Sequence, residues 1–385
     1  MAVRIVVGMS GGVDSSVAAA LLVEQGHDVV GVTLRVWPWH EAEEATHKFG
    51  SCCSPQTVAD ARAVARRLGI PYYLLNTERE FARAVIEPFA RAYVQARTPV
   101  PCVACNRDVK FGSLLQRARA WDAAAVATGH YARITCDRES GRFLLWRGRD
   151  ARKDQSDFLW PLTQAQLAAA RFPVGDLTKE AVREKARAVG LQTADKPESQ
   201  EICFIPDDDY RGFLRRRVPE AFAPGPIVDG QGTVLGQHGG LASYTVGQRR
   251  GLGLVSRRPL YVTALDPDRN ALVVGEAAAA EMDTLVAEQA NFISIGALTG
   301  PLEVTAKIRH SHAPAPAVIE PLRQPSADPA EQLAKEIPGQ GPTAPPRVRV
   351  RFAQAQWAPA PGQSVVFYQG DLVVGGGVIA RPQEA

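Results

Sequence analysis

Apolar and polar positions follow two periods in the first half of the chain. Short apolar runs at Arg4 to Val7, Asp28 to Leu34, Pro71 to Leu75 and Ala123 to Thr128 read as buried strands. Between them, helical patterns run from Asp14 to about Gln25, Pro55 to Leu68, Arg79 to about Ala96 and Val109 to Ala120. That alternation predicts an α/β domain, a parallel doubly wound sheet with helices on both faces. Such sheets bind ligands beyond the carboxyl ends of their strands, which places Ser10 to Ser15, Leu34 and Gly129 along one edge. The helical period persists over Thr163 to Val189. Beyond about Pro206 the pattern shortens to alternation broken by glycine. Leu260 to Ala264 and Ala271 to Val274 read as a hairpin, followed by Leu302 to Arg309, Arg347 to Phe352, Ser364 to Tyr368 and Leu372 to Ile379. These short strands predict an all-β barrel as the last domain. Residues 314–346 carry nine of the 28 prolines and predict a flexible insertion in the barrel rather than a packed element. The expected division is 1–205, a small central domain at 206–280, and a barrel at 281–385.

With 385 residues the chain is long enough for two or three cores. Its 44 Lys and Arg against 41 Asp and Glu leave a formal charge of +3, so any affinity for nucleic acid must reside in local patches. The basic clusters are Arg215 to Arg217, Arg249 and Arg250, Arg257 and Arg258, and the alternating Arg347, Arg349 and Arg351, whose period of two sets three guanidinium groups on one strand face. No apolar run approaches the roughly eighteen residues of a membrane span, and the first residues lack a signal-peptide pattern. A cytoplasmic protein is the expectation. Six cysteines, at 52, 53, 102, 105, 136 and 203, are too few for a secreted disulfide scaffold and point to reactive or metal-binding thiols.

Gly8, Met9, Ser10, Gly11, Gly12, Val13, Asp14 and Ser15 leave the first strand and open the first helix. Small residues there let the backbone wrap an anion, and the helix N-terminus offers N–H groups and positive dipole. The glycines are not followed by the Lys-Ser/Thr pair of a Walker A loop and do not have dinucleotide-binding spacing. A bare Gly-Gly pair in this place would read as a tight turn capped by Asp14 or Ser15. Cys102 and Cys105 fall in a Pro-rich loop just ahead of a helix, where the helix N-terminus, Arg107 and Lys110 would favour thiolate. Their spacing reads equally as half of a zinc site completed by Cys52 and Cys53 or by a histidine. Cys203, flanked by Ile202 and Phe204, reads by itself as a buried thiol.

Taken together, these segments resemble one family. Ser10 to Ser15 after the first strand resembles the PP-loop of ATP pyrophosphatases. The runs Cys105 to Phe111, Ala127 to Tyr131, Lys153 to Ser156, Ser199 to Asp207, Ser243 to Gly251 and Pro361 to Gln363 resemble, in that order, the tRNA-specific 2-thiouridylase (MnmA) family over almost the whole chain. The resemblance implies an enzyme that uses ATP and Mg2+ to adenylate the C2 oxygen of the wobble uridine, replaces that oxygen with sulfur, and releases AMP and pyrophosphate. It implies tRNAs for Lys, Glu and Gln as substrates, and a persulfide donor, a cysteine desulfurase or relay protein, as partner. Cys203 is implied as the persulfide carrier and Cys105 as its partner thiol, the two left as a disulfide after transfer. ATP contacts are implied at Gly8 to Ser15, Leu34 and Gly129, although Leu34 by itself reads as a strand core residue. Contacts to tRNA are implied at His130, Lys153, Asp154, Gln155, Arg249, Arg250, Arg309, His310 and Gln363, with the target base splayed out of the anticodon loop. The chain departs from the family pattern at Cys102, where several relatives carry an aspartate, at Leu34, where methionine is often found, and at Asp157, where an aromatic is common. Cys102, Cys105 and Cys203 are also the set that would hold an iron–sulfur cluster with one open iron. Two rival readings are an amide-forming PP-loop ligase, which needs neither Cys105 nor Cys203, and a non-catalytic zinc-containing RNA-binding module, which would tolerate loss of Asp14.

Overall fold

The computed structural model describes residues 2–37, 54–197, 202–205, 208–322 and 346–382. They form two compact units, one holding positions up to 90, 101–217 and 371–373, the other 91–100, 218–370 and 374 onward.

The first unit contains β1 (Arg4–Gly8), α1 (Val13–Glu24), β2 (Asp28–Arg35), α2 (Pro55–Leu68), β3 (Tyr72–Asn76), β4 (Ala125–Ala127), the antiparallel pair β5 (Ala132–Cys136) and β6 (Phe143–Arg147), the two-residue β7 (Ala170–Arg171) and α3 (Lys179–Ala188). The expected parallel sheet is present, in the order β3-β2-β1-β4-β7. Ile5 pairs with Val29 on one side and Ala125 on the other, so β1 is central and buried on both faces. Val17, Ala18, Ala19 and Leu22 of α1 pack with Val7, Ala61, Val64, Val182 and Ala186 in one apolar cluster. Local chemistry fixes α2 at both ends: Ser54 Oγ accepts the Thr57 N–H at 3.2 Å, Pro55 opens the first turn, and Gly69 closes the helix at φ +69°.

The single helical period expected over 163–189 is instead three pieces. Gln164–Ala168 is a short helix with a capping box between Thr163 and Gln166, β7 follows at the sheet edge, and α3 begins only at Lys179. Pro173 interrupts the helical ladder, and the Gly175 N–H turns back to Phe172 O at 3.0 Å. A Cβ at Gly175 would stand 1.9 Å from Ala132 O, so only glycine lets this turn pass over β5.

In the second unit, β8 (Gly225–Val228), β9 (Val234–His238), β10 (Tyr261–Asp266) and β11 (Ala271–Gly275) form a sheet in the order β10-β11-β8-β9, and β10 and β11 make the expected hairpin. The barrel is closed and six-stranded. Its members β12 (Glu281–Phe292), β13 (Leu302–Lys307), β14 (Ala315–Leu322), β15 (Arg347–Trp357), β16 (Ser364–Gln369) and β17 (Leu372–Ile379) run in the order β12-β15-β14-β13-β16-β17, and β17 pairs back to β12. Leu285, Ile308, Ile319, Val350, Phe367 and Val374 fill it.

One expectation is overturned here. The start of the Pro-rich stretch is not a flexible insertion: 315–322 is β14, paired with both β13 and β15. Pro316 takes an exposed position on the outer face and Pro321 is exposed near the strand end, so the inward-pointing Ala317 and Ile319 are kept between them. Residues 323–345 of that stretch lie outside the described residues. On β15 the buried Val348 and Val350 alternate with exposed Arg349 and Arg351, and Arg351 pairs with Glu320 at 2.9 Å.

Candidate active site

The loop leaving β1 is held from below. Met9 N–H donates to Val32 O at 2.8 Å, and Thr33 Oγ1 donates to Met9 O at 2.6 Å, fixing the loop to the end of β2 where Leu34 lies half-buried. Ser15 Oγ accepts the Ser10 N–H at 3.2 Å and donates to Gly12 O at 3.1 Å. Gly11 sits at φ +68°, and a Cβ there would stand 2.3 Å from Thr57 O. Gly12 is the N-cap of α1, with extended backbone, and no described side chain caps the helix. The first-turn N–H groups of α1 therefore have the environment that suits a phosphate. Gly129, leaving β4, meets this turn directly, since a Cβ there would lie 2.6 Å from the Asp14 carbonyl carbon and Ser15 N. Gly8 to Ser15 and Gly129 are thus brought together, with Leu34 at the end of the neighbouring strand.

Three side chains that the sequence reading did not single out complete this centre. Lys179 Nζ donates to both Asp14 oxygens, at 2.8 and 2.9 Å, and Tyr131 Oη donates to Oδ1 at 2.7 Å. On the other side of the loop, Lys196 Nζ donates to Gly11 O at 3.0 Å and pairs with Asp60 at 2.6 Å. One signal was available for Lys179. A cation in the first turn of a helix opposes the macrodipole, so its position asks for a partner elsewhere.

The cysteine-bearing segment is helical earlier than expected. Pro101–Ala104 already forms a helical turn, followed by a wider π-helical stretch at Cys105–Ser113. Cys102 is exposed and Cys105 half-buried. Arg107, expected to favour thiolate, makes two 2.8 Å hydrogen bonds to Asp108, which draws its charge away from the sulfur. Lys110 Nζ donates to Asn106 Oδ1 at 2.9 Å and lies 3.5 Å from His130 Nε2. Cys203 is half-buried on the turn 202–205, closed by Ile205 N–H to Ile202 O at 2.9 Å. Its neighbour Phe204 is fully buried, with ring centroids 5.7, 5.3 and 5.4 Å from Phe81, Phe89 and Phe213. A cavity of about 230 Å3 beside Phe204 is also lined by Val36, Trp37, Ile86, Phe213 and Arg217. Cys105 and Cys203 belong to the same unit. Among the described residues no three Cys, His, Asp or Glu side chains gather as a metal-binding set. Cys52 and Cys53 lie outside the described residues.

The residues implied as tRNA contacts divide into two groups. Arg249, Arg250 and His310 are exposed and Lys153 is half-buried. The others are engaged inside the fold. His130 is buried with Nδ1 2.7 Å from Thr128 Oγ1, and burial, then the nearby Lys110 ammonium, pushes its pKa well below the usual imidazole value. Asp154 accepts from Gly148 N, Ser156 N and Ser156 Oγ at 3.0 to 3.1 Å. Gln155 exchanges hydrogen bonds with the backbone of Tyr131. In the second unit Arg309 donates to Val246 O at 3.1 Å and to Ala358 O, and burial lowers its pKa. Gln363 Nε2 donates to Thr98 O at 3.0 Å.

Comparison with known proteins covers the whole chain. A family profile described as tRNA methyl transferase HUP domain matches residues 3–207, one described as tRNA methyl transferase PRC-barrel domain matches 211–276, and one described as aminomethyltransferase beta-barrel domain matches 341–379. The tRNA-specific 2-thiouridylase MnmA of Heliobacterium modesticaldum is 52% identical over 98% of this chain and 92% of its own length. That of Symbiobacterium thermophilum is 49% identical over 99% and 93%, and that of Moorella thermoacetica 50% identical over 97% and 98%. Identity of this degree over nearly every position, on a fold whose first strand delivers a glycine-rich loop to an uncapped helix, leaves one assignment: the chain belongs to the tRNA-specific 2-thiouridylase family.

Proposed function

We propose that this chain converts the wobble uridine of tRNA to 2-thiouridine. The observation that carries the reading is the loop at Gly8 to Ser15, which presents the first turn of α1 to an anion in the unit that also carries Cys105 and Cys203. In the first step the uridine C2 oxygen attacks the α-phosphorus of ATP, taken as its magnesium complex. A C2–O–P bond forms, the α–β bridge breaks, and pyrophosphate leaves into the loop. Adenylation turns a poor leaving oxygen into a good one. The terminal sulfur of a Cys203 persulfide then attacks C2 and AMP departs. The Cys105 thiolate next attacks Cys203 Sγ, the persulfide S–S bond breaks, and its electrons remain on the sulfur at C2 as the thiocarbonyl. The Cys105–Cys203 disulfide left behind needs two electrons from an external thiol reductant.

A persulfide donor protein supplies the sulfur, and the tRNAs for Lys, Glu and Gln are the expected substrates. Arg249, Arg250 and His310 are positioned by exposure to meet RNA and the half-buried Lys153 joins them, whereas His130, Asp154, Gln155, Arg309 and Gln363 shape the surfaces that do so. Residues 206–280 are the proposed central tRNA-binding domain. Among the described residues no helix is long and apolar enough to cross a membrane.

The test is nucleoside mass spectrometry after incubation with unmodified tRNA, ATP, magnesium and a persulfide donor. Thiolated uridine and AMP in equal amounts are expected. Loss of thiolation in Cys105→Ser and in Cys203→Ser, with ATP binding retained, is the second expected result. Wild-type thiolation by either variant would overturn the sulfur chemistry, and an amide product in its place would favour the ligase reading.

A further inference from the structure

A carboxylate is out of place at the mouth of an anion site, where it repels the polyphosphate that the N–H groups attract. Asp14 stands in the first turn of α1 with a partly exposed side chain, so the loop as sequence alone describes it carries a charge of the wrong sign. The structure answers that charge from a distant element. Lys179 places its ammonium against both Asp14 oxygens, and only 7% of its side chain is exposed. An ammonium that buried is tolerated when it is paired and hydrogen-bonded. Its aim is also fixed in advance: Thr178 Oγ1 caps α3 by accepting the Ala181 N–H at 3.2 Å, the Lys179 N–H donates to Asp150 Oδ2 at 3.1 Å, and the Tyr131 ring lies 5.8 Å from Nζ. Tyr131 Oη supplies a further donor to Asp14. Lys196 is directed elsewhere, to Gly11 O and to Asp60.

We infer that Lys179 is a positioning residue that neutralises Asp14 and so lets the loop accept a polyphosphate, acting through the Asp14 carboxylate rather than by touching phosphate. This rests on the ATP reading proposed above and adds to it a residue that acts through charge. Its signature is that deleting both charges restores what deleting one removes.

The probe is α,β-methylene-ATP in EDTA, so that no metal ion links Asp14 to phosphate, with binding measured by calorimetry. Lys179→Met should weaken binding by at least about tenfold, Asp14→Asn, which leaves the ammonium without its counter-charge, should bind more tightly than wild type, and Asp14→Asn/Lys179→Met should return to within about threefold of wild type. Lys179→Arg, which keeps the charge, should recover most of the loss. Melting temperatures separate these effects from unfolding. Should Lys179→Met fail to fold, the double variant, which leaves no unpaired buried charge, and Asp14→Asn still give the ranking. A double variant as weak as Lys179→Met overturns the inference in favour of direct phosphate contact, and wild-type binding by Lys179→Met overturns it outright. Binding by the wild-type protein only when magnesium is supplied overturns the inference and leaves the ATP reading standing, whereas no binding in either condition removes the ATP reading as well.

Discussion

Gly129 beside the loop and Gly375 in the barrel both bring backbones closer than a side chain permits, with opposite results. At Gly129 a Cβ would stand 2.6 Å from the backbone of Asp14 and Ser15, and the contact braces a helix start whose N–H groups no described side chain caps. At Gly375 it would stand 2.3 Å from Asn291 O, and at Gly377 2.9 Å from Ala287 Cβ. There the close approach accompanies strand closure: β12 bulges between Glu288 and Asn291, and its two halves pair with different partners, β15 and β17. In the first place tight packing holds polar groups ready for something else, and in the second it consumes them in a ladder. Steric demand for glycine therefore does not mark a site; what the neighbouring N–H groups do afterwards does.

Substitutions can break that contrast, and the largest effect is expected at Gly129. Gly129→Val should reduce AMP formation and thiolation by about a hundredfold or more, because it displaces the loop itself, while the barrel unit keeps its melting behaviour. Gly375→Ala should do the reverse: about 1–3 kcal/mol of stability lost in denaturant titration, with nucleotide affinity unchanged. Acid should distinguish the two regions as well. His130 is buried neutral with its pKa depressed by burial and by Lys110, so below about pH 6.5 the unfolded chain binds a proton that the folded one refuses, and stability falls with falling pH, by at most about 1.4 kcal/mol per pH unit from this group. His130→Gln should flatten that slope, read from urea titrations at a series of pH values. Tyr131→Phe should be milder, raising the KM for ATP about fivefold through loss of one hydrogen bond worth about 1 kcal/mol. Least of all, Arg249→Ala should lower the salt dependence of tRNA binding by roughly one counterion, with little change in turnover.

What could be read from sequence follows the range of the forces involved. The boundaries of α2 were legible because Ser54, Pro55 and Gly69 act on their immediate neighbours, and the phosphate loop because its residues are contiguous. Lys179, Tyr131 and Lys196 were not, since each reaches the loop from a separate element; the first-turn position of Lys179 asks for a partner without saying which. Arg309 and Gln363 are implied by the resemblance as tRNA contacts, yet both hydrogen-bond backbone carbonyls inside the second unit. The β14 strand was hidden because proline density was weighed without asking where along the strand the prolines fall. The strand β12 was hidden because its bulge interrupts the inward alternation that would have revealed it.

The ring of Phe204, seated among Phe81, Phe89 and Phe213, limits how far the adjacent Cys203 can travel. Withdrawing that ring into water costs roughly 1.5–3 kcal/mol, several times thermal energy. Movements of Cys203 that leave the ring seated are therefore favoured about ten- to a hundredfold over those that pull it out, which makes the aromatic side chain the pivot of the segment.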